Sequence, residues 1–267
     1  MITMQTNDSN EDISIVPGHG SDLDEEIKSQ ISPDIFKLYD VYSYRHAAAI
    51  LKTSFPDDLK EIEDALLKFR ITKNDIAMPG GNESVVPKLF SKQLRPKHWF
   101  ETRIQGDLVV RITEQVNEIK DADQPEKFNL YEKIPIILEN YIDGHKIDYV
   151  KGRVALDLEW NSKDQTFDRD LYAFRMFHEC GVISVAVLIT RSEKLNPLFD
   201  SLVLLKKDGT PDLDKNGTPK FCKQKYGAST TWMGKLLYRL NAGRHGGCPV
   251  LVFGIRPEVV SDWKERE

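Results

Sequence analysis

Three acidic residues in one short stretch of the sequence are the side chains best placed to do chemistry. Asp157 and Glu159 alternate with leucines in a run typical of a β-strand, so their carboxylates and the amide of Asn161 point to the same face. The dipeptide Lys151-Gly152 before this run predicts a tight turn. The resulting antiparallel hairpin brings Asp148 close to Asp157.

Such a cluster of carboxylates is costly when nothing compensates it, because like charges repel and each group loses hydration. A hard divalent cation removes that cost, and Mg²⁺ prefers carboxylate oxygens together with water. The pattern therefore indicates a metal site that activates water or stabilises charge on a phosphate. A surface hairpin with one polar face is the alternative, since most strands with two alternating acids have that explanation.

The elements that must position these acids form an α/β pattern. From residue 135 onwards the predicted order is helix, strand, strand, helix, strand, helix, strand, which describes a mixed sheet with helices on its faces. The apolar run over 182–189 is typical of a strand covered on both faces. Residues 78–84 are predicted to form a loop. The predicted helices cover 39–69, 135–143, 168–180 and the stretch to 240 that Ser229-Thr230-Thr231 would cap, and the predicted strands cover 109–119, 146–150, 153–160, 182–189 and 248–255.

The charge of the chain is unevenly distributed. The 267 residues carry 37 basic and 42 acidic side chains, a formal net charge of -5. Residues 1–27 hold seven of the acids and no Lys or Arg, which leaves 35 acids and 37 bases, a balance of +2, for the rest. We therefore predict an acidic, disordered tail over residues 1–30 and a single domain over 31–267. The net charge does not exclude a nucleic-acid enzyme.

Composition also limits the compartment. The sequence has no apolar run of about 18 residues and no basic-then-apolar amino terminus, so neither a membrane span nor a signal peptide is expected. The three cysteines, Cys180, Cys222 and Cys248, are sparse and odd in number, which favours a reducing environment. We expect a cytoplasmic protein without membrane contact.

The hairpin resembles the nuclease core of type II restriction endonucleases, in which an Asp precedes an acid-x-Lys motif on the next strand. More narrowly, residues 154–164 and 167–171, together with 42–47 and 79–84, are similar to BglII-like restriction endonucleases. The resemblance covers about residues 38–256. It implies a restriction-endonuclease-like α/β fold, in which helices flank a mixed β-sheet core and helical additions lie at the amino terminus.

The resemblance implies that Asp148, Asp157 and Glu159 are catalytic and that Asp148 and Asp157 bind the metal, Mg²⁺. Glu159 stands where the wider superfamily has Lys, so the missing positive charge must come from the cation or from Lys163. A less favoured register takes Glu159 and Asn161 as the acid-x-polar pair.

Glu139, on the predicted helix over 135–143, could add a further acid to the site. The alternative is an ordinary exposed helix carboxylate.

Residues that contact DNA need donors and acceptors at the tips of elements. One candidate segment follows the acidic strand directly, and a second, basic and hydroxyl-rich, leads into a predicted helix amino terminus, which favours phosphate. A third is the stretch 191–196. A solvated loop is the alternative for each segment, and for the second and third it explains the pattern equally well. The candidate DNA-binding residues are Asn161, Ser162, Lys163, Lys223, Lys225, Ser229, Thr230 and Thr231.

The resemblance implies a type II restriction endonuclease that cleaves double-stranded DNA at a short palindromic site with a GATC core and leaves 5′-phosphate ends. A homodimer is expected, because two identical active sites cut both strands of a symmetric sequence. A structure-specific or repair nuclease of the same fold is one alternative. A non-catalytic DNA-binding protein, whose acids are structural, is another.

Overall fold

The computed structural model describes residues 21–80, 84–117 and 128–263 and contains a mixed β-sheet with helices packed against it. None of the helices in these ranges combines the length and the apolar character needed to cross a membrane. The helices are α1 Asp24–Gln30, α2 Ala47–Ser54, α3 Pro56–Lys68, α4 Lys73–Ala77, α5 Val85–Leu94, α6 Thr166–Glu179, α7 Asn196–Ser201, α8 Cys222–Lys225 and α9 Met233–Asn241. The strands are β1 Tyr39–Tyr44, β2 Phe100–Val110, β3 Thr113–Asn117, β4 Phe128–Glu132, β5 Ile136–Lys151, β6 Val154–Glu159, β7 Val185–Arg191 and β8 Val250–Ile255.

The chain divides into two units, Met1–Glu101 with Ile147–Glu267 and Thr102–Lys146, whereas the sequence predicts one domain over 31–267. In the first unit the strand order is β1, β8, β7, β6, β5. The three central strands β6, β7 and β8 are parallel neighbours, and β1 and β5 flank them antiparallel. All residues of the three central strands are buried, as expected for a sheet covered on both faces.

The second unit is built from strands. There β5 neighbours β2, and β3 pairs antiparallel with β4. The predicted helix over 135–143 is therefore wrong, because these residues belong to β5. A short apolar run with two adjacent isoleucines, Ile136 and Ile137, fits either element by pattern, and β-branched side chains favour the strand. Glu139 is thus an exposed strand residue rather than a helical one.

Two predictions near the amino terminus are also corrected. Residues 39–44, predicted to be helical, form β1 and pair with β8 at the edge of the sheet. Residues 24–30, placed in the predicted tail, form α1, which buries Ile27 and begins with three acids that favour a helix amino terminus. Residues 1–20 of that tail lie outside the described residues, as do 81–83 of the predicted loop and Ile119 of the predicted strand.

The remaining predicted elements are confirmed with shifted ends. The helix predicted over 168–180 is α6, and the strands predicted over 182–189 and 248–255 are β7 and β8. The last helix is α9, but it begins at Met233 after Trp232, with no side-chain cap. The predicted cap at Ser229-Thr230-Thr231 is therefore wrong.

The predicted turn between β5 and β6 depends on a glycine. Gly152 has φ of +53°, and a Cβ added there would meet nothing within 4 Å, so conformation rather than space restricts this position. A left-handed conformation costs a residue with a Cβ about 1–2 kcal/mol.

We expect Gly152→Ala to lower the free energy of unfolding by about that amount, measured by denaturant titration. Gly247→Ala, at a glycine without positive φ and with its nearest contact at 4.0 Å, is the matched control, and an equal loss in both variants would contradict this explanation.

Candidate active site

The hairpin of β5 and β6 sets two of the predicted acids side by side. Its register pairs Tyr149 with Leu156, so Asp148 and Asp157 occupy the next positions along the strands. The amide N–H of Asp148 donates to Asp157 Oδ1 over 2.6 Å, and the amide N–H of Leu158 donates to Asp148 Oδ2 over 3.3 Å. The Asp157 side chain is therefore held by the backbone of Asp148, and the Asp148 side chain by the backbone of Leu158.

The position of β6 inside the sheet buries these acids. Every residue of the strand is buried, and Asp157, opposite Leu188 of β7, is only 5% exposed. Glu159, at the end of the strand, is 9% exposed, and Asp148 is half-buried. The predicted alternation of acids and leucines thus places the carboxylates at the edge of an apolar layer rather than on an open surface.

A fourth acid, which the sequence analysis did not select, joins the cluster from α6. Asp170 is 5% exposed and lies on the helix face that buries Phe167, Leu171 and Phe174. Its Oδ2 atom has no hydrogen-bond partner among the described residues, and the charge of Glu159 acts on its carboxyl group. An acid three residues after one buried aromatic and four before another was the available signal, because this spacing puts it on the apolar face.

Burial and mutual repulsion keep the cluster from ionising easily. Burial raises the pKa of Asp157 well above its usual range, and the neighbouring charges of Asp170 and Asp148 raise it further. The pKa of Asp170 is likewise well above its usual range, through burial first and then the charge of Glu159. In the absence of a cation, protons are therefore held in this cluster at a pH where exposed carboxyls have lost them.

The two acids nearer the solvent are shifted in the same direction. Burial raises the pKa of Glu159, opposed by a hydrogen bond from the Ser162 side chain. Burial also raises the pKa of Asp148, opposed by the N–H of Leu158 and by the positive charge of Arg95.

Two arginines supply positive charge to the cluster. Arg169 Nη2 lies 3.4 Å from Asp170 Oδ1, and its charge also favours ionisation of Glu159 and Asp148. Arg95 likewise favours ionisation of Asp148. Lys163, one of the two predicted sources of positive charge, is exposed on the loop after β6.

The residues present suit a hard divalent cation in their chemistry. They supply carboxylate oxygens that are buried and close together, including the Oδ2 atom of Asp170 that has no partner. As placed, the described residues contain no group of three or more His, Cys, Asp or Glu that could hold a metal ion. A cation held by three of these acids would need carboxylates to reorient, beginning with Asp157, whose Oδ1 accepts the Asp148 amide.

A cavity of about 520 Å³ lies beside the cluster. Its wall includes Asp148 and Glu159 together with Asn161, Ser162 and Lys225. The described residues that line it do not include Asp157, which lies deeper. The alternative register, which pairs Glu159 with Asn161, is thus the one whose two side chains both reach this cavity.

The candidate DNA-binding residues divide by exposure. Lys163, Lys223 and Ser229 are exposed, and Lys223 Nζ forms an ion pair with Asp200 over 3.5 Å. Asn161 and Ser162 are half-buried at the cavity. Lys223 lies in α8, and the other four residues lie outside the helices and strands.

The other three have structural partners. Thr231 is fully buried and its hydroxyl accepts the amide N–H of Ser162, so this hydroxyl already has a structural partner. Its assignment to DNA binding stays a prediction. The Lys225 ammonium donates to the carbonyls of Met78 and Ile76 over 2.7 and 3.1 Å, which leaves it less available to phosphate than predicted. The Thr230 hydroxyl likewise bonds within the protein, as described below.

A mixed sheet flanked by helices, with an acidic hairpin at the end of its central strands, defines a nuclease of the restriction-endonuclease-like class. The family model described as restriction endonuclease BglII/BglIII matches residues 39–255. The chain therefore belongs to the BglII/BglIII restriction endonuclease family, as the resemblance over 38–256 implied. It is a site-specific deoxyribonuclease that acts on double-stranded DNA. A search of curated proteins gives no significant match.

The raised pKa values predict how stability depends on pH without metal. Each acid is stabilised in its protonated form by folding, so this contribution is complete below the unfolded pKa, about 4, and is lost as pH rises through the raised folded pKa. Asp170→Asn cannot ionise and escapes the loss. We expect its melting temperature in EDTA to exceed that of the wild type at pH 8 by at least about 3 °C, a shift of about 1 kcal/mol, and the difference to shrink as the pH falls toward about 4.

Glu179→Gln is the control for this experiment, since it removes an exposed carboxylate from the same helix, where Glu179 forms a surface ion pair with Arg175. We expect no pH-dependent difference from the wild type. A lower melting temperature for Asp170→Asn at pH 8 would show that Asp170 stabilises the fold as an anion, contrary to the cluster described above.

Proposed function

We propose that this restriction endonuclease requires Mg²⁺, recognises a short palindromic sequence and leaves 5′-phosphate ends. The observation that carries the proposal is the buried cluster of four carboxyl groups beside a cavity that Asn161 and Ser162 also line. In this arrangement the side chains that would contact bases and those that would take part in cleavage lie at the end of one rigid strand. Base recognition and cleavage would then occur at the same place on the DNA.

In this proposal Asp148 and Asp157 hold the cation, and Asp170 is available to join them. The bound ion would supply electrostatic stabilisation of the charge that develops on the phosphate. Support comes from the chemistry of the donors and from the unpaired Oδ2 atom of Asp170, since carboxylate oxygens are the ligands that Mg²⁺ prefers.

Glu159 is the group in the cavity wall that can take a proton. Burial raises the pKa of Glu159 above its usual range, which makes it a better base than an exposed carboxylate. In hydrolysis, water forms a bond to phosphorus while the bond from phosphorus to the 3′ oxygen breaks. The water's proton goes to Glu159, the 3′ oxygen takes a proton from solvent, and the phosphate remains on the 5′ end.

We further propose a homodimer acting on a palindrome, with a GATC core as the family resemblance implies. One chain contributes one acid cluster, and cutting both strands of a symmetric site within a single binding event needs two. Light scattering of the protein bound to a duplex that contains the cleavage site measures the number of chains per duplex. A single chain per duplex would contradict the homodimer.

Plasmid digestion with and without Mg²⁺ tests the proposed reaction. We expect discrete fragments with Mg²⁺ and none in EDTA. Asp157→Asn keeps the side-chain volume but halves the negative charge available to the cation and donates where the carboxylate accepted. We expect the cleavage rate to fall at least about 10²–10³-fold, the scale seen when a principal electrostatic group is removed, while affinity for the same duplex persists in a gel shift.

The exposed carboxylate of Glu179 again provides the control, and Glu179→Gln should cleave at the wild-type rate. A smear instead of fragments would support a structure-specific or general nuclease, and absence of cleavage by wild-type protein would support a DNA-binding protein. Full activity in Asp157→Asn would remove Asp157 from the reaction. Sequencing the fragment ends identifies the site, the stagger and the phosphorylated end together, and ends without a shared sequence would contradict the palindrome.

A further inference from the structure

A buried arginine, the first residue of the third candidate DNA-contact stretch 191–196, takes no part in the proposed reaction. Arg191 is the last residue of β7 and is only 2% exposed. Among the described residues no carboxylate forms an ion pair with it. Although burial lowers its pKa to about 10, the guanidinium stays charged at neutral pH. A buried charge without a counter-ion is costly, so the contacts that it makes instead indicate what the position is for.

Those contacts are backbone carbonyls, a hydroxyl and aromatic rings. Arg191 Nε donates to the carbonyl of Trp160 over 2.7 Å, and Nη2 donates to the carbonyl of Thr231 over 2.8 Å and to the hydroxyl of Thr230 over 2.6 Å. The guanidinium carbon lies 5.0 Å from the ring centre of Tyr226 and 5.4 Å from that of Phe199. The planar, forked guanidinium group thus makes contacts in several directions at once.

The partners belong to two separate segments. Trp160 follows Glu159 directly and precedes Asn161, Ser162 and Lys163, the first candidate DNA-binding segment. Thr230 and Thr231 belong to the second segment, residues 223–231. Arg191 is therefore bonded to the residue that directly precedes the first segment and to two residues of the second, from a strand that carries neither segment.

The same two segments are paired with each other. The N–H of Thr231 donates to the carbonyl of Ser162 over 2.8 Å, and the N–H of Ser162 donates to the hydroxyl of Thr231 over 3.2 Å. The N–H of Asp164 donates to the carbonyl of Ser229 over 3.1 Å, and Lys163 bridges to Thr230. The two segments form one short antiparallel ribbon, and Arg191 closes the end of it that adjoins Glu159.

We infer that Arg191 is a positioning residue that holds both candidate DNA-binding segments in fixed register with the acidic strand, so that correct base contacts determine cleavage. The inference rests on the proposed function for the identity of the reaction. Lys at this position would keep the charge but not the fork, since an ammonium cannot match three acceptors in one plane and stack on rings at the same time. The geometry, more than the charge, is what the site requires.

Arg191→Lys tests this by site discrimination. We expect the ratio of cleavage rates at the cognate site and at sites with one changed base pair to fall tenfold or more, because both reading segments lose their common anchor. The ratio of dissociation constants for cognate and random duplex should fall in parallel. Arg175→Lys, at an exposed ion pair on α6, should leave both ratios unchanged.

A merely structural role for Arg191 predicts a lower melting temperature with both ratios intact, and that result in folded Arg191→Lys would overturn the inference. If Arg191→Lys does not fold, Thr230→Val removes one acceptor of the guanidinium and leaves the arginine in place. We expect a smaller loss of discrimination in that variant, and wild-type discrimination there would overturn the inference. The binding ratio separates this result from failure of the proposed reaction, because it is measured without Mg²⁺ and does not need cleavage.

Discussion

Moving carboxyl groups out of water costs free energy, and much of the local structure around β6 offsets that cost. Asp157 lies within an apolar layer because its strand lies between two others, so the amide of Asp148 supplies the hydrogen bond that water would otherwise give. Asp170 approaches the same layer from a helix and brings Arg169 with it. The hairpin turn, the register of β5 on β6 and the orientation of α6 are thus conditions for keeping these acids together.

The parts of this arrangement that could be predicted are local in sequence. The alternation of Asp157 and Glu159 along a strand, and the turn at Gly152, follow from the period of a β-strand and from the conformational freedom of glycine. The buried strands β7 and β8 were also predictable, because continuous apolar runs have few alternatives at that length. Together these identify the hairpin and the core of the sheet.

The parts that could not be predicted depend on contacts distant in sequence. The strands β1 and the early part of β5 have patterns compatible with helix, and pairing with a neighbouring strand decides between the two. The sequence pattern favours phosphate binding by Lys225, yet its ammonium donates to carbonyls that lie 147 and 149 residues earlier in the chain. The sequence pattern places Thr231 in a hydroxyl-rich surface segment, whereas the fold buries its side chain in the core. Whether a polar side chain reads a ligand or supports a loop is set by the fold around it.

Protons, metal cations and the DNA phosphate all change the same balance of charge in this site. A DNA phosphate entering a cavity lined by Asp148 and Glu159 meets repulsion unless their charge is neutralised. Protons neutralise the cluster through its raised pKa values, but a protonated carboxyl is a poor metal ligand, so cation binding must release them. Under the proposed function, a bound cation replaces the protons and adds positive charge for the phosphate. Because coupling between two ligands is reciprocal, bound DNA must then strengthen cation binding by the same factor. The overall charge of -5 is therefore compatible with a DNA enzyme whose affinity is concentrated at one cavity.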